Sequence, residues 1–265
     1  MRYLLINGSP HKGNTWKLAE LVRDCLKELS PGSTFEELHL SDLKLPFCLG
    51  CSLCFRKGRE YCPHNDIMKI VTDKLEECDG LIFAATTFNM MPNALTKNLI
   101  DHLCFMMHRP NFFRKKAIVL STTGAVGCKS AVKYIASTLN AIGFNRCYRL
   151  PVSAFSYNNF SPDEKIKARC KKLALKFDED VSSGKMHAPG FGALIPYNLF
   201  RGMCRYYAEG TEYETHDGTF WTDPERAEST YGPSIPVPVY KKAFGSLFCL
   251  LGKTMGKRMI ITYKK

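Results

Sequence analysis

Apolar positions along residues 2–182 alternate between two periods. Residues 2–6 form a short apolar strand that stops at Asn7-Gly8-Ser9-Pro10. From Asn14 onward, Leu18, Leu21, Val22, Cys25, Leu26 and Leu29 recur at three- and four-residue spacing, the stripe of a half-buried helix. Pro31-Gly32 ends it, and residues 34–40 alternate as a strand. After an irregular stretch a helix is predicted from about Asp66, with Ile67, Ile70, Val71, Leu75 and Cys78 on one face. Residues 80–85 are continuously apolar, as in a strand covered on both sides. A helix carrying Leu95, Leu99, Leu103 and Met106 follows, then a strand at 117–121. Another helix carries Val132, Ile135, Ala136 and Leu139, and a fifth strand lies near 147–152. Ser161-Pro162-Asp163-Glu164 reads as a capping box with proline at the first helical position, opening a helix to about Ser182.

Strands alternating with helices in this way predict an α/β unit with a parallel sheet covered on both faces. Ligands of such sheets sit beyond the carboxyl ends of the strands, which directs attention to the loops after strands one, three and four. Past Gly184 the rhythm breaks. Residues 1–184 are therefore expected to form the main domain, and residues 185–265 a mostly helical or irregular extension packed on that domain or on a dimer partner. The extension holds a helical stretch around 194–207, an acidic-aromatic segment with Phe220-Trp221, a proline-rich bend at 233–238 and a basic tail. Phe220 and Trp221 are expected to lie over the cleft.

Composition narrows the class. The chain has 265 residues, 45% of them hydrophobic and 23% charged, which excludes a disordered or fibrous protein. No apolar run reaches the roughly 20 residues that span a bilayer, and the N-terminus turns polar too early for a secretory signal. A soluble, cytoplasmic protein is expected. Lys plus Arg number 37 against 25 Asp plus Glu, a net charge of +12 that favours anionic ligands such as phosphorylated cofactors. The twelve cysteines argue for thiol ligands or redox groups in a reducing compartment rather than a disulfide framework.

The first loop reads Gly8-Ser9-Pro10-His11-Lys12-Gly13-Asn14-Thr15 and leads into a helix. Such a strand-to-helix turn offers free backbone amides to a phosphate. It lacks the three glycines of a dinucleotide fingerprint, and Asn14 stands where a P-loop has lysine, so a monophosphate fits better. Gly8-Ser9-Pro10 with Asn14-Thr15 resembles the first loop of the flavodoxin-like NAD(P)H-dependent FMN reductases. The resemblance covers about residues 1–182. It implies a doubly wound five-stranded sheet of order 2-1-3-4-5, with Ser9, His11, Asn14 and Thr15 holding the FMN phosphate. By the same resemblance Thr86, Thr87, Phe88 and Asn89 form the second, ring-wrapping loop, although the family's usual Pro-Val/Ile-Tyr is replaced here. Thr122, Thr123 and Gly124 form the third, small enough to let a flat ring approach the backbone.

Cys48-x2-Cys51-x2-Cys54-x7-Cys62-Pro63 lies between the second strand and the next helix. Short Cys-x-x-Cys arcs with one more distant cysteine suit the corners of a cubane. The motif is similar to that of the iron–sulfur flavoproteins, a branch of the same family, and so implies a 4Fe–4S cluster. An empty thiol loop and a structural zinc stay open as alternatives. The remaining cysteines, such as Cys25, Cys78 and Cys170, fall on apolar stripes and read as core.

His102 and His108 have no paired nucleophile and read as packing or helix-end residues. No protein catalytic group is assigned, because the flavin itself accepts the hydride. Residues 237–265 hold seven Lys or Arg and no acid around an apolar group. They read either as a helix packed on the core or a second subunit, or as an interfacial segment on anionic lipid. No nucleic-acid motif accompanies the charge. The resemblance implies an FMN oxidoreductase that moves electrons from NAD(P)H to a small acceptor and forms a homodimer or tetramer. An electron-transfer flavoprotein fed by ferredoxin and a thiol-based regulator are the alternatives.

Overall fold

The computed structural model describes residues 1–259. Five parallel strands, β1 (Arg2–Asn7), β2 (Thr34–His39), β3 (Gly80–Ala84), β4 (Lys116–Thr123) and β5 (Arg146–Ser153), form one sheet. Its order is β2-β1-β3-β4-β5, as expected. Register is set by the central strands, with Leu5 opposite Ile82 and Ile82 opposite Ile118. All five residues of β3 are buried, which accounts for its unbroken apolar run. At one edge, β2 exposes Glu36 and holds Glu37 beside it, charges that discourage further strand pairing.

One face of the sheet packs Leu4, Ile6, Leu81, Phe83 and Val119 against α2 (Asn65–Glu77), α3 (Ala94–His102), α4 (Cys104–His108) and α5 (Cys128–Ala141). The other packs Leu5, Ile82, Ile118 and Leu120 against α1 (Asn14–Leu29) and α6 (Glu164–Ser182). Three local expectations are corrected. α2 buries Met68, Val71, Thr72 and Leu75 and leaves Ile70 exposed, because the buried stripe is rotated from the line through Ile67 and Ile70. The helix through Leu95 and Met106 breaks at Leu103 into α3 and α4. The N-cap of α6 is Asp163, whose side chain accepts from the Ile166 amide; Ser161 and Pro162 precede the helix.

Beyond Gly184 lie α7 (Phe191–Met203), α8 (His216–Thr222) and α9 (Val239–Arg258). They share a separate aromatic cluster of Leu194, Tyr197, Tyr207, Trp221 and Tyr231, to which Phe113 of the α/β unit contributes. A buried ion pair also joins the two parts. Asp217 of α8 accepts from Arg109 and, at 2.6 Å, from His108 Nδ1. Trp221 is fully buried and donates its indole N–H to the His108 carbonyl at 2.8 Å. It therefore anchors the extension rather than lying over the cleft, because its ring is needed in that cluster. The basic tail falls partly on α9; residues 260–265 lie outside the described residues.

Candidate cofactor site and cysteine loop

A cavity of about 1040 Å3 opens at the carboxyl ends of β1, β3, β4 and β5. His11, Asn14 and Thr15 line it from the first loop, Thr86, Thr87, Phe88 and Asn89 from the second, and Thr122, Thr123 and Gly124 from the third. All three loops singled out in the sequence thus converge. Ser9 is the exception. Its hydroxyl is buried and bonded to that of Thr86, so it braces the loop from behind. Asn14 lines the wall with its side chain already engaged, donating to the Ser156 and Tyr157 carbonyls and accepting from the Phe160 amide.

That last contact brings in a loop that sequence reasoning missed. Ser156, Tyr157 and Asn158, just past β5, complete the cavity wall. The sheet order holds the signal for them: β5 lies beside β4, so its exit loop opens on the same end.

The first loop is held by α3. Gly8 donates to the Ala84 carbonyl at 2.7 Å, and its own carbonyl accepts from Asn93 Nδ2 at 2.8 Å and Thr96 Oγ1 at 3.2 Å. A Cβ at Gly8 would meet Thr96 Oγ1 at 2.2 Å, so only glycine permits this approach. Asn93 also caps α3 by accepting from the Thr96 amide. The second loop is a hairpin, Thr87–Phe88 against Met91–Pro92. Its two turn residues, Asn89 and Met90, have φ of 48° and 64°. Two successive left-handed residues match the twist of a tight hairpin, but for Met90 they impose strain. Gly127, at φ 100°, lets the tip pack closely, since its Cβ would sit 3.0 Å from the Met90 Cα.

The cavity suits a flavin mononucleotide. α1 starts at Asn14 with no side-chain cap and no acid in its first turn, so its leading amides remain available to an anion. The hydroxyls of Thr15 and Thr122, 2.6 Å apart, stand beside that helix end, with Thr86 next to Thr15. Phe88 and Tyr157 are exposed at the rim, where a planar ring could lie, and Gly124 leaves the third wall without a side chain.

Cys48 and Cys51 are exposed, and Cys54 and Cys62 half-buried, on and beside the irregular stretch before α2. Burial pushes the Cys62 thiol up, a backbone hydrogen bond at His64 opposes that shift, and the Cys54, Cys51 and Cys48 thiols add to it. Cys104 of α4, absent from the sequence motif, is the largest influence on Cys54 and pushes its thiol up. Among the described residues no group of three or more His, Cys, Asp or Glu closes into a metal cage. The thiols fit the donor chemistry of an iron–sulfur cluster, while the loop geometry leaves them apart. Around the loop, Asn98 accepts from the Cys48 amide and donates to the Leu45 and Pro46 carbonyls, and Arg109 donates to the Cys54 carbonyl. His102 is buried, and its Nε2 lies 2.9 Å from His64 Nδ1, beside Cys62. Burial holds the His102 imidazolium below its usual pKa.

Comparison with known proteins agrees with this geometry. The family model for NADPH-dependent FMN reductase matches residues 1–158. An iron–sulfur flavoprotein of Clostridioides difficile is 27% identical over 174 residues, covering 65% of this chain and 76% of its own. One from Archaeoglobus fulgidus is 30% identical over 154 residues, covering 58% and 73%. Among solved structures, an NADH:FMN oxidoreductase shares the fold at a TM-score of 0.51 and 23% identity, over 67% of this chain and 88% of its own. With the matched region holding the first and second loops, the third loop and the exit of β5, this chain belongs to the NADPH-dependent FMN reductase family.

Proposed function

We propose that the chain is an FMN-dependent oxidoreductase that passes electrons from NAD(P)H to a small acceptor. The observation that carries this reading is the uncapped N-terminus of α1, opening with three threonine hydroxyls into a cavity large enough for a mononucleotide. In that reading the leading amides of α1, with Thr15, Thr86 and Thr122, hold the phosphate, and His11 lies at its solvent side. Phe88 and Tyr157 flank the ring, and the second-loop hairpin fixes its edge. FMN supplies a hydride acceptor at that position. The cavity is a single cleft lined by the loops at the strand ends, and dihydronicotinamide and acceptor would use its open face in turn.

Anaerobic titration of the purified protein with NADPH and with NADH tests the reading. Bleaching of a bound-flavin spectrum supports it. A flavin that stays oxidised would instead favour an electron-transfer flavoprotein reduced by ferredoxin.

The Cys-x2-Cys-x2-Cys-x7-Cys spacing and the names of the two relatives support a 4Fe–4S cluster on Cys48, Cys51, Cys54 and Cys62. Iron and sulfide assays after anaerobic reconstitution test this. Stoichiometric zinc would favour a structural metal, and neither metal an empty loop. A cytoplasmic homodimer is our reading of its setting. All twelve cysteines are free, as suits a reducing compartment, and no helix among the described residues is long and apolar enough to cross a membrane.

A further inference from the structure

α9 is fastened to α7 by a face almost without side chains. A Cβ at Gly252 would sit 2.3 Å from the Leu199 carbonyl oxygen, and one at Gly202 of α7 would sit 2.1 Å from that of Cys249. Gly245 and Gly256 are buried on the same side. These close approaches fix the rotation of α9 about its axis, because no other face can come so near. Phe244 and Phe248 stay half-buried at the edge of the contact, and the remaining large apolar side chains are turned outward. Val239, Tyr240, Leu247 and Leu250 are 82%, 63%, 54% and 61% exposed, and Leu251 and Met255 are 45% and 46% exposed.

The charge on this helix has one sign. It holds Lys241, Lys242, Lys253, Lys257 and Arg258 and no Asp or Glu. The cations bracket the apolar middle: Lys242 is exposed at one end and Lys257 and Arg258 at the other. Basic ends around an exposed leucine face form the pattern of a helix that lies in a membrane interface, where long cationic side chains reach up to headgroups.

We propose that the outward face of α9 docks, parallel to the surface, on an anionic lipid bilayer. A second copy of the chain is a poorer occupant. A two-fold contact between these faces would bring the exposed Lys242, Lys257 and Arg258 of each helix against those of the other, with no acid on either helix to offset them, in a chain of net charge +12. An anionic surface offsets that charge while covering the leucines. The proposal is independent of which cofactor the α/β unit holds.

Cosedimentation of the full-length protein with vesicles tests it. Binding is expected to vesicles of phosphatidylcholine mixed with phosphatidylglycerol, and to be at least about tenfold weaker to phosphatidylcholine alone. It should also fall steeply at about 1 M salt, where the screening length shrinks to about 3 Å. Leu247→Glu with Leu250→Glu should lower binding about tenfold or more, since both charges would have to enter the interface. These positions are exposed, so circular dichroism of the double variant should match the parent. Should that variant nevertheless fail to fold, the comparison of the two vesicle types with the parent protein still decides. Equal binding to both vesicle types, or none to either, overturns the proposal. So does sedimentation equilibrium showing that the double variant splits an oligomer that itself ignores lipid, which would make the face an interface between copies.

Discussion

Replacing Asp217 by alanine puts the junction between the α/β unit and residues 185–259 to the test. The Asp217 side chain is 8% exposed and that of Arg109 7%, so neither charge has water to fall back on. Removing the carboxylate strands the guanidinium, which still donates to the Cys54 carbonyl but loses its counter-charge. Breaking a buried pair in this way costs about 3–5 kcal/mol. In a chain of this size each kcal/mol lowers Tm by roughly 2–4 °C, so a fall of about 6–20 °C is expected. The two tryptophans make the assay specific, because Trp16 lies on α1 and Trp221 on α8. Urea unfolding followed by fluorescence in Trp16→Phe and Trp221→Phe backgrounds should give coincident transitions, both shifted by Asp217→Ala. Arg109→Met combined with Asp217→Leu should recover most of the loss, since no charge is then left unpaired. A single Asp217→Ala effect below about 1 kcal/mol, or two separate transitions, would refute the view that the extension folds as one unit with the sheet.

Asn93→Ala removes both the α3 cap and a bond to the Gly8 carbonyl; it should cost about 1–2 kcal/mol by denaturant titration and weaken flavin retention on gel filtration. Gly252→Ala forces a methyl group into the Leu199 carbonyl and should destabilise the fold by about 1–3 kcal/mol, read as a lower urea midpoint; an unchanged midpoint would contradict the close α7–α9 packing. Burial depresses the folded-state pKa of His102 and of His216, whereas the unfolded imidazole titrates near about 6.5. The unfolded chain therefore takes up these protons first, so stability is full above about pH 6.5 and declines as pH falls through and below it. Urea midpoints between pH 8 and pH 5 should show this slope, reduced in His102→Gln, and a flat profile would count against it.

The elements easiest to read from sequence were those whose pattern is enforced by local burial. β3 is apolar throughout because helices cover both its faces, and the stripe of α1 through Leu18, Val22 and Leu26 follows from its single buried side. The first loop was legible because the phosphate-binding geometry is built within a few consecutive residues. Asn93 and Thr96 were not, since their role depends on a carbonyl more than eighty residues away. Asp163 was masked by Ser161, an equally good cap by composition; only the backbone decides which residue stands at the boundary. Trp221 was misplaced for a related reason. An aromatic beside acids suits a cleft rim or an anchor equally well, and its partners His108 and Tyr197 are distant in sequence.

α3 acts as a measuring rod. Its first turn grips the Gly8 carbonyl through Asn93 and Thr96, and its last turns grip the cysteine loop through Asn98 and His102. Nine helical residues rise about 14 Å, a length that thermal motion of loops cannot alter. Whatever occupies the cavity and whatever gathers at the thiols are thus held at a separation set by backbone hydrogen bonds rather than by two pliant connections. Lengthening or shortening this rod by a turn would move one site relative to the other while leaving each intact, which makes the spacing itself a heritable trait of the molecule.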